Sequence, residues 1–247
     1  MIQSFGMSDV GLVRSNNEDS YLLKPDLGLY VVADGMGGAL AGERASRIAV
    51  ETVAQEIARA GLEASSEVLL GAVSLANENI RWEAEQNAQY SGMGTTIVAV
   101  LVRPPKAIIA SVGDSRVYLR TSGELYCVTS DQTWVNEVGR GLGLSDEQLR
   151  VHPYRNVLTM AVGAEEKIDV QLHEVGFRQG DLMLLSSDGL HGVAGENALI
   201  EILGRETPLR EMGKALIDAA LRNGGTDNVT AVLICCTGDN GSQDGAS

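Results

Sequence analysis

VVADGMGG, residues 31–38, decides how the rest of this chain reads. Val31 and Val32 are β-branched and apolar and mark the end of a buried strand. Asp34 sets a carboxylate just past it, and Gly35, Gly37 and Gly38 let the backbone turn where side chains would not fit. A carboxylate at the mouth of a sheet, beside backbone whose carbonyls can point inward, begins an oxygen site for a hard metal cation. Two plainer readings compete. Asp-Gly is a common hairpin dipeptide, but no second strand follows: AGERASRIAVETVAQEIARAG places Ala45, Ala49, Val53 and Ile57 at intervals of four, the period of a helix packed on one face. A nucleotide loop needs a third glycine where Leu40 stands, or a Gly-Lys-Ser/Thr that is absent.

Outward from that stretch, residues 1–12 read as a strand and VRSNNEDSYLL as a polar turn holding Arg14, Glu18 and Asp19. After the first helix, a second over about 64–88 aligns Leu69, Ala72, Val73, Ala76 and Ile80, which predicts an antiparallel helix pair. From Gly92 to Val128 the apolar runs TTIVAVLV, AIIASVG, SRVYLR and ELYCV predict an antiparallel meander with Gly113-Asp114 at one of its turns. Residues 130–165 break that rhythm with glycines and a capping box at Ser145–Gln148, so they read as an insertion of short helices. Strands DVQLHEV and DLMLLSS, a helix over about 208–222 and the strand NVTAVLICC follow, and residues 237–247 read as a disordered tail. The order predicts an α+β fold in which helices cover the outer faces of packed antiparallel sheets, built as one domain over 1–236.

Composition narrows the partners. Acidic residues outnumber basic ones 33 to 19, a formal net charge of −14, which argues against nucleic acid or an anionic membrane as the main partner. No apolar run approaches the roughly 20 residues of a membrane helix and no leader-like segment opens the chain, so the expectation is a cytoplasmic protein. Cys127, Cys235 and Cys236 lack metal or redox spacing and read as reduced structural thiols.

Asp34 has three counterparts. Asp188 follows LMLLSS, Asp114 follows IIASVG, and Asp227 precedes NVTAVLI, each at a strand end with glycine nearby. One such aspartate reads best as a turn residue; four of the same form point to carboxylates meeting at one edge of the sheets. Oxygen ligands without His or Cys pairs favour Mg²⁺ or Mn²⁺.

RSNNED (14–19), VVADGMGG (31–38), GMGTT (92–96), VGDSR (112–116), SSDGL (186–190) and GGTDNVT (224–230) resemble, in order, the signature segments of the metal-dependent protein phosphatases of type 2C, and most closely the compact bacterial members. The resemblance implies a sandwich of two antiparallel sheets flanked by helix pairs, with a dinuclear Mn²⁺/Mg²⁺ centre at one end. It implies that Asp34 bridges both metals, that the Gly35 carbonyl binds one, and that Asp188 and Asp227 hold the other. Asp114, with Asp188, matches a third-metal position. Glu18 and Asp19 are implied to act through bound water, as is Asn228, and Arg14 to grip the substrate phosphate. Residues 130–165 match the family's flap, where His152 is a candidate proton donor competing with a packing role. The partners implied are proteins phosphorylated on serine or threonine by a cognate kinase, in bacterial signal transduction, and the expected state is a monomer.

The chain also departs from the family pattern. Met36, Ala39 and Gln132 occupy positions where relatives can carry histidine, which leaves no side chain there to protonate the leaving group. Arg116 reads as an internal partner that orients an aspartate, Thr95 and Thr96 as residues shaping the sheet, and His191 as a residue at a helix start. The chemistry expected is direct hydrolysis of phosphoserine and phosphothreonine esters by a metal-held hydroxide. The rivals are an inactive relative that binds phosphorylated partners as a regulatory module, and an acidic metal-binding structural protein.

Overall fold

A computed structural model describes residues 1–38 and 40–237; Ala39 and the tail beyond Thr237, on which two of the expectations fall, lie outside the described residues. Among the described residues, eleven strands form two antiparallel sheets. In the first the order is β1 (Ile2–Asp9), β11 (Val229–Cys236), β10 (Leu182–Ser186), β7 (Arg116–Thr121), β8 (Glu124–Cys127). In the second it is β2 (Asp19–Lys24), β3 (Leu29–Met36), β5 (Ile97–Arg103), β6 (Lys106–Val112), β9 (Gln171–Gly176), with β4 (Gly94–Thr95) paired to the end of β3. Helices α1 (Ala41–Ala60) and α2 (Ser66–Gln86) pack on the second sheet. Helices α4 (Asp188–Ala194), α5 (Glu196–Leu203) and α6 (Leu209–Arg222) pack on the first.

The apolar pattern explains four layers rather than two. Along β3, Tyr30 and Val32 face the other sheet, while Val31 and Ala33 face α1 and α2. Along β11, Val232 and Ile234 face inward, while Ala231 and Leu233 meet the helices on the far side. Strands covered on both faces read as unbroken apolar runs, which is why VVA and VTAVLI show no alternation. Between the sheets, Tyr30, Phe177, Met183 and Ile109 fill the central layer.

Three expectations are corrected. Residues 92–128 are not one meander: β5 and β6 pair in one sheet, β7 and β8 in the other, and Gly113-Asp114 is the crossover between them. Because β6 and β7 are both apolar on two faces, a hairpin and a change of sheet have the same sequence signature. Second, no helix was expected between DLMLLSS and 208–222 beyond a helix start at His191, yet Asp188 opens α4 and α5 follows at once, two helices too short and glycine-interrupted for periodicity to reveal. Third, the opening strand ends at Asp9, before Gly11. Within 130–165 the insertion holds a π-helical turn (Val135–Gly139) and α3 (Asp146–Arg150), whose capping box at Ser145 and Gln148 is formed as expected.

Candidate metal centre

β2, β3, β10 and β11 all present an end, and the β6–β7 crossover a loop, at one edge of the sandwich. Asp34 lies opposite Asp19 in the β2–β3 register. Its backbone is fixed from β4 and the residue after it: the Asp34 N–H donates to Thr96 Oγ1 (3.1 Å), and its carbonyl accepts from Thr95 Oγ1 (2.8 Å) and the Thr96 N–H (2.9 Å). Thr96 Oγ1 also pairs with Ser115 Oγ at 2.7 Å, tying the Asp34 strand to the loop of Asp114. Thr95 and Thr96 therefore do more than shape the sheet; they set where two of the carboxylates start.

Beside Asp34 the backbone of α1 comes unusually close. A Cβ on Gly35 would lie 2.0 Å from the Gly42 carbonyl oxygen, and one on Gly42 would lie 2.1 Å from Glu18 Oε2. Both positions must be glycine for β3, α1 and the Glu18 carboxylate to meet. The Glu18 carbonyl accepts from the Gly35 N–H (3.2 Å) and Ser46 Oγ (2.6 Å), which locks the RSNNED turn against α1.

Asp19 is buried, at 8 % exposure. Its Oδ2 accepts from Ser187 Oγ (2.7 Å) and Thr230 Oγ1 (2.6 Å), but Oδ1 has no hydrogen-bond partner. A buried carboxylate oxygen left bare is costly unless something cationic or hydrogen-bonding reaches it. Burial pushes the Asp19 carboxyl up to about 7, against the pull of its two hydroxyl donors. Asp114 is likewise held at about 7 by burial, with Asp188 and Asp131 adding to it. Asp34 is raised well above the carboxylate range, first by burial and then by Asp19, Asp188, Asp114 and Asp227. Asp188 is raised by burial and then Asp227, against a smaller lowering by Asp34.

Four aspartates thus act on the fifth, and without a cation burial and like charge favour the protonated forms of Asp19, Asp34, Asp114 and Asp188. Among the described residues, no three His, Cys, Asp or Glu side chains are closed into a formed metal site. The donor chemistry nonetheless suits a hard divalent ion: carboxylates only, one of them with a bare buried oxygen.

Arg14 is half-exposed, and its Nη2 donates to Asp227 Oδ2 at 2.8 Å. Asn228 braces backbone from three segments. Its Oδ1 accepts the Glu18 N–H (2.8 Å), and both amide hydrogens go to carbonyls, those of Val10 and Asn16 (2.9 Å each). Both amide hydrogens are used, so the side chain pins the RSNNED turn to the start of β11, and the second lone pair of Oδ1 is the site at which it can accept from a water. Arg116 holds Asp131 through two hydrogen bonds, Nε to Oδ1 (2.8 Å) and Nη2 to Oδ2 (2.6 Å).

His152 is not among the residues lining the groove over the aspartates. It stacks on Trp134 with centroids 4.3 Å apart, and its Nδ1 accepts the Tyr154 N–H (3.2 Å), so the packing role describes it. His191, which sequence reasoning set aside, does line the groove. Its Nδ1 pairs with Ser186 Oγ at 3.0 Å, and burial, then Arg116, keeps the ring neutral. Gln132 is more than a position lacking histidine. It joins the flap base to the Asp114 loop: Oε1 accepts the Gly113 N–H (2.8 Å) and Nε2 donates to the Asp169 carbonyl (2.8 Å).

Residues 13–233 match the family model described as Protein phosphatase 2C. The chain belongs to the protein phosphatase 2C family. Among curated relatives, "Serine/threonine phosphatase stp" of Listeria monocytogenes is 36% identical over 234 residues, covering 92% of this chain and 93% of that one. Among solved structures, the Mycobacterium tuberculosis serine/threonine phosphatase PstP/Ppp superposes with a TM-score of 0.88 at 34% identity, covering 96% of this chain and 99% of that one. The catalytic domain of PstP in complex with 2 manganese ions gives 0.86 at 33% identity, over 96% and 99%. The two-sheet, helix-flanked sandwich expected from the sequence is therefore the protein phosphatase 2C architecture.

Proposed function

We propose that this chain is a metal-dependent protein serine/threonine phosphatase that hydrolyses phosphoserine and phosphothreonine esters. The observation carrying the reading is Asp34, fixed through its backbone and surrounded by Asp19, Asp114, Asp188 and Asp227 at one edge of the sandwich. Manganese accompanies a related phosphatase in the two-manganese complex; here the residues to hold Mn²⁺ or Mg²⁺ are Asp34 and the Gly35 carbonyl, Asp188 and Asp227, with Asp114 for a third ion and Glu18 and Asp19 set behind them. When bound, two such cations lower the pKa of a water towards neutrality and neutralise charge on the phosphoryl oxygens.

The chain's own residues supply the rest. Arg14, half-exposed beside Asp227, offers two parallel N–H donors to phosphoryl oxygens, a match lysine lacks. Asn228 and Ser46 hold the Arg14–Asp19 turn, so the guanidinium approaches from a fixed direction. Neither histidine nearest the centre is free to protonate the leaving oxygen, since His152 is stacked in the flap and His191 is neutral and tied to Ser186, and His173, on β9, does not line the groove. That proton comes from solvent in the centre rather than from a side chain. The substrates proposed are phosphoproteins acted on by a cognate kinase, in the cytoplasm of a bacterium, with the chain acting as a monomer over 1–236. Among the described residues no helix is long and apolar enough to cross a membrane.

Hydrolysis of an aryl phosphate and of a phosphothreonine peptide, measured with Mn²⁺ and after chelation, tests this. The expected outcome is Mn²⁺-dependent turnover of both, reduced at least about a thousandfold in Asp34→Ala and in Asp188→Ala, since a site of this kind accelerates chiefly by stabilising charge in the transition state. Tight phosphopeptide binding with no turnover at any metal concentration would instead make the chain a binding module.

A further inference from the structure

Asp19 does not line the groove over the other aspartates. It lines a second cavity of about 420 Å³ between β1, β2 and α1, together with Ser8, Asn17, Tyr21 and, from α1, Arg47 and Glu51. Beside this cavity a closed ring of hydrogen bonds starts and ends on Asp19. The Asp19 N–H donates to Asn17 Oδ1 (3.1 Å), Asn17 Nδ2 donates to Ser8 Oγ (2.8 Å), Ser8 Oγ meets Thr230 Oγ1 (2.8 Å), and Thr230 Oγ1 donates to Asp19 Oδ2 (2.6 Å). Ser8 and Thr230 are direct partners in the β1–β11 register, so the ring ties the edge strand of each sheet to β11.

The direction of every bond in the ring is fixed. With its carbonyl oxygen taken by the Asp19 N–H, the Asn17 amide offers Ser8 a donor. The single Thr230 hydroxyl proton is committed to Asp19, so at the Ser8–Thr230 contact Ser8 donates and Thr230 accepts. Ser187 adds a branch: its Oγ accepts the Thr230 N–H (3.0 Å) and donates to Asp19 Oδ2 (2.7 Å). Oδ2 therefore carries two hydroxyl donors, which fill its lone pairs and stop the carboxylate from turning, while Oδ1 has no hydrogen-bond partner among the described residues. Hydrogen bonds in series within a buried site polarise one another. Ser8 thus strengthens the hold on Oδ2 although its own partners are Asn17 and Thr230.

We propose that Ser8 is a positioning residue of the metal centre: through Thr230 it keeps the Asp19 carboxylate in one orientation, with Oδ2 saturated by hydroxyls and Oδ1 left for a divalent cation or its water shell. The inference rests on the metal-dependent phosphatase reading for what sits opposite Oδ1, and Mn²⁺ binding to the full chain, measured by isothermal titration calorimetry, tests it without turnover. Ser8→Val and Ser8→Thr have the same shape and differ in the hydroxyl, and the cavity gives room beside Ser8 for the added carbon. Ser8→Val should weaken Mn²⁺ binding about tenfold, as loss of a group that orients a metal-site carboxylate does, and Ser8→Thr should stay within about twofold of the native chain. Tyr21→Phe, which alters the same cavity but not the ring, should leave the affinity unchanged. Asn17→Ala opens the ring at the residue before Ser8 and should weaken binding in the same direction, which decides the matter should Ser8→Val fail to fold in chelator. Equal Mn²⁺ affinities in folded Ser8→Val and Ser8→Thr overturn the proposal, as does a native affinity in Asn17→Ala. A native chain that binds Mn²⁺ but hydrolyses neither aryl phosphate nor phosphothreonine peptide defeats the phosphatase reading alone, with the affinity ratios still deciding the role of Ser8; a native chain that binds no Mn²⁺ defeats both.

Discussion

Asp19 shows how a single residue records the job of a site. Two hydroxyls satisfy one of its oxygens and nothing in the fold satisfies the other, although burial makes that costly. Its carboxyl and that of Asp114 stand at about 7 in the metal-free chain, against about 3.9 for an unfolded aspartate. Both pKa values are raised by folding, so the folded chain holds more protons than the unfolded one between those limits. Their contribution is fully present below about pH 4 and is lost as pH rises through 7. Urea unfolding in chelator should therefore show stability falling from pH 5 to pH 7, by up to about 1.4 kcal/mol per pH unit for each group, and levelling above. A stability that climbs over that interval would mean the carboxylates are ionised and separately paired.

At the scale of elements, the contact between β3 and α1 carries the site, because it presses Gly35 against Gly42 and leaves room for Glu18. Gly42→Ala forces a methyl onto Glu18 Oε2 and to 2.8 Å from the Gly35 backbone carbon, which cannot swing aside, and should cost about 1–3 kcal/mol in urea unfolding, as overpacked sites do. Phosphatase activity should fall with it, since Glu18 and Gly35 move together. This is also where the sequence stopped short. Asp34, Asp114, Asp188 and Asp227 were legible because each interrupts an apolar run with glycine beside it, and the helix α1 because its apolar residues repeat every four. Gly42 was invisible, one small residue in a helix full of alanine, and its importance lies in what approaches it from β2 and β3. The sheet change after β6 was hidden for a related reason: strands buried on both faces carry no mark of which sheet they join. Asn228 and Gln132 were read as site chemistry or its absence, when their partners are backbone groups far away in sequence that no local pattern displays.

For the whole molecule, the crowding of like charge at one edge and the net charge of −14 make cations part of the energetics of the fold. Mn²⁺ at one hundred times its dissociation constant should stabilise the chain by about 2.7 kcal/mol, a rise in Tm of roughly 5–10 °C for a chain of this size. Asp34→Asn should invert the pattern: without metal it melts above the unsubstituted chain, because a repelled buried carboxyl has been removed, and with Mn²⁺ it gains little. Differential scanning calorimetry with and without chelator checks both halves, and an Asp34→Asn chain that melts lower in chelator would show that Asp34 is held by partners and not opposed by neighbours.

The strand order of the first sheet has a further consequence for when the enzyme comes into being. β11 is the last strand of the described chain, yet it lies between β1 and β10 and sets Asp227 beside Asp188. A nascent polypeptide halted anywhere before Val229 lacks the member that joins its first strand to the rest, and Asp19 lacks Thr230. Such a chain cannot gather its carboxylates however long it waits on the ribosome. Catalysis is thus withheld until the chain through Cys236 has been made, and a frameshift just before Val229 should abolish it as completely as one near Met1.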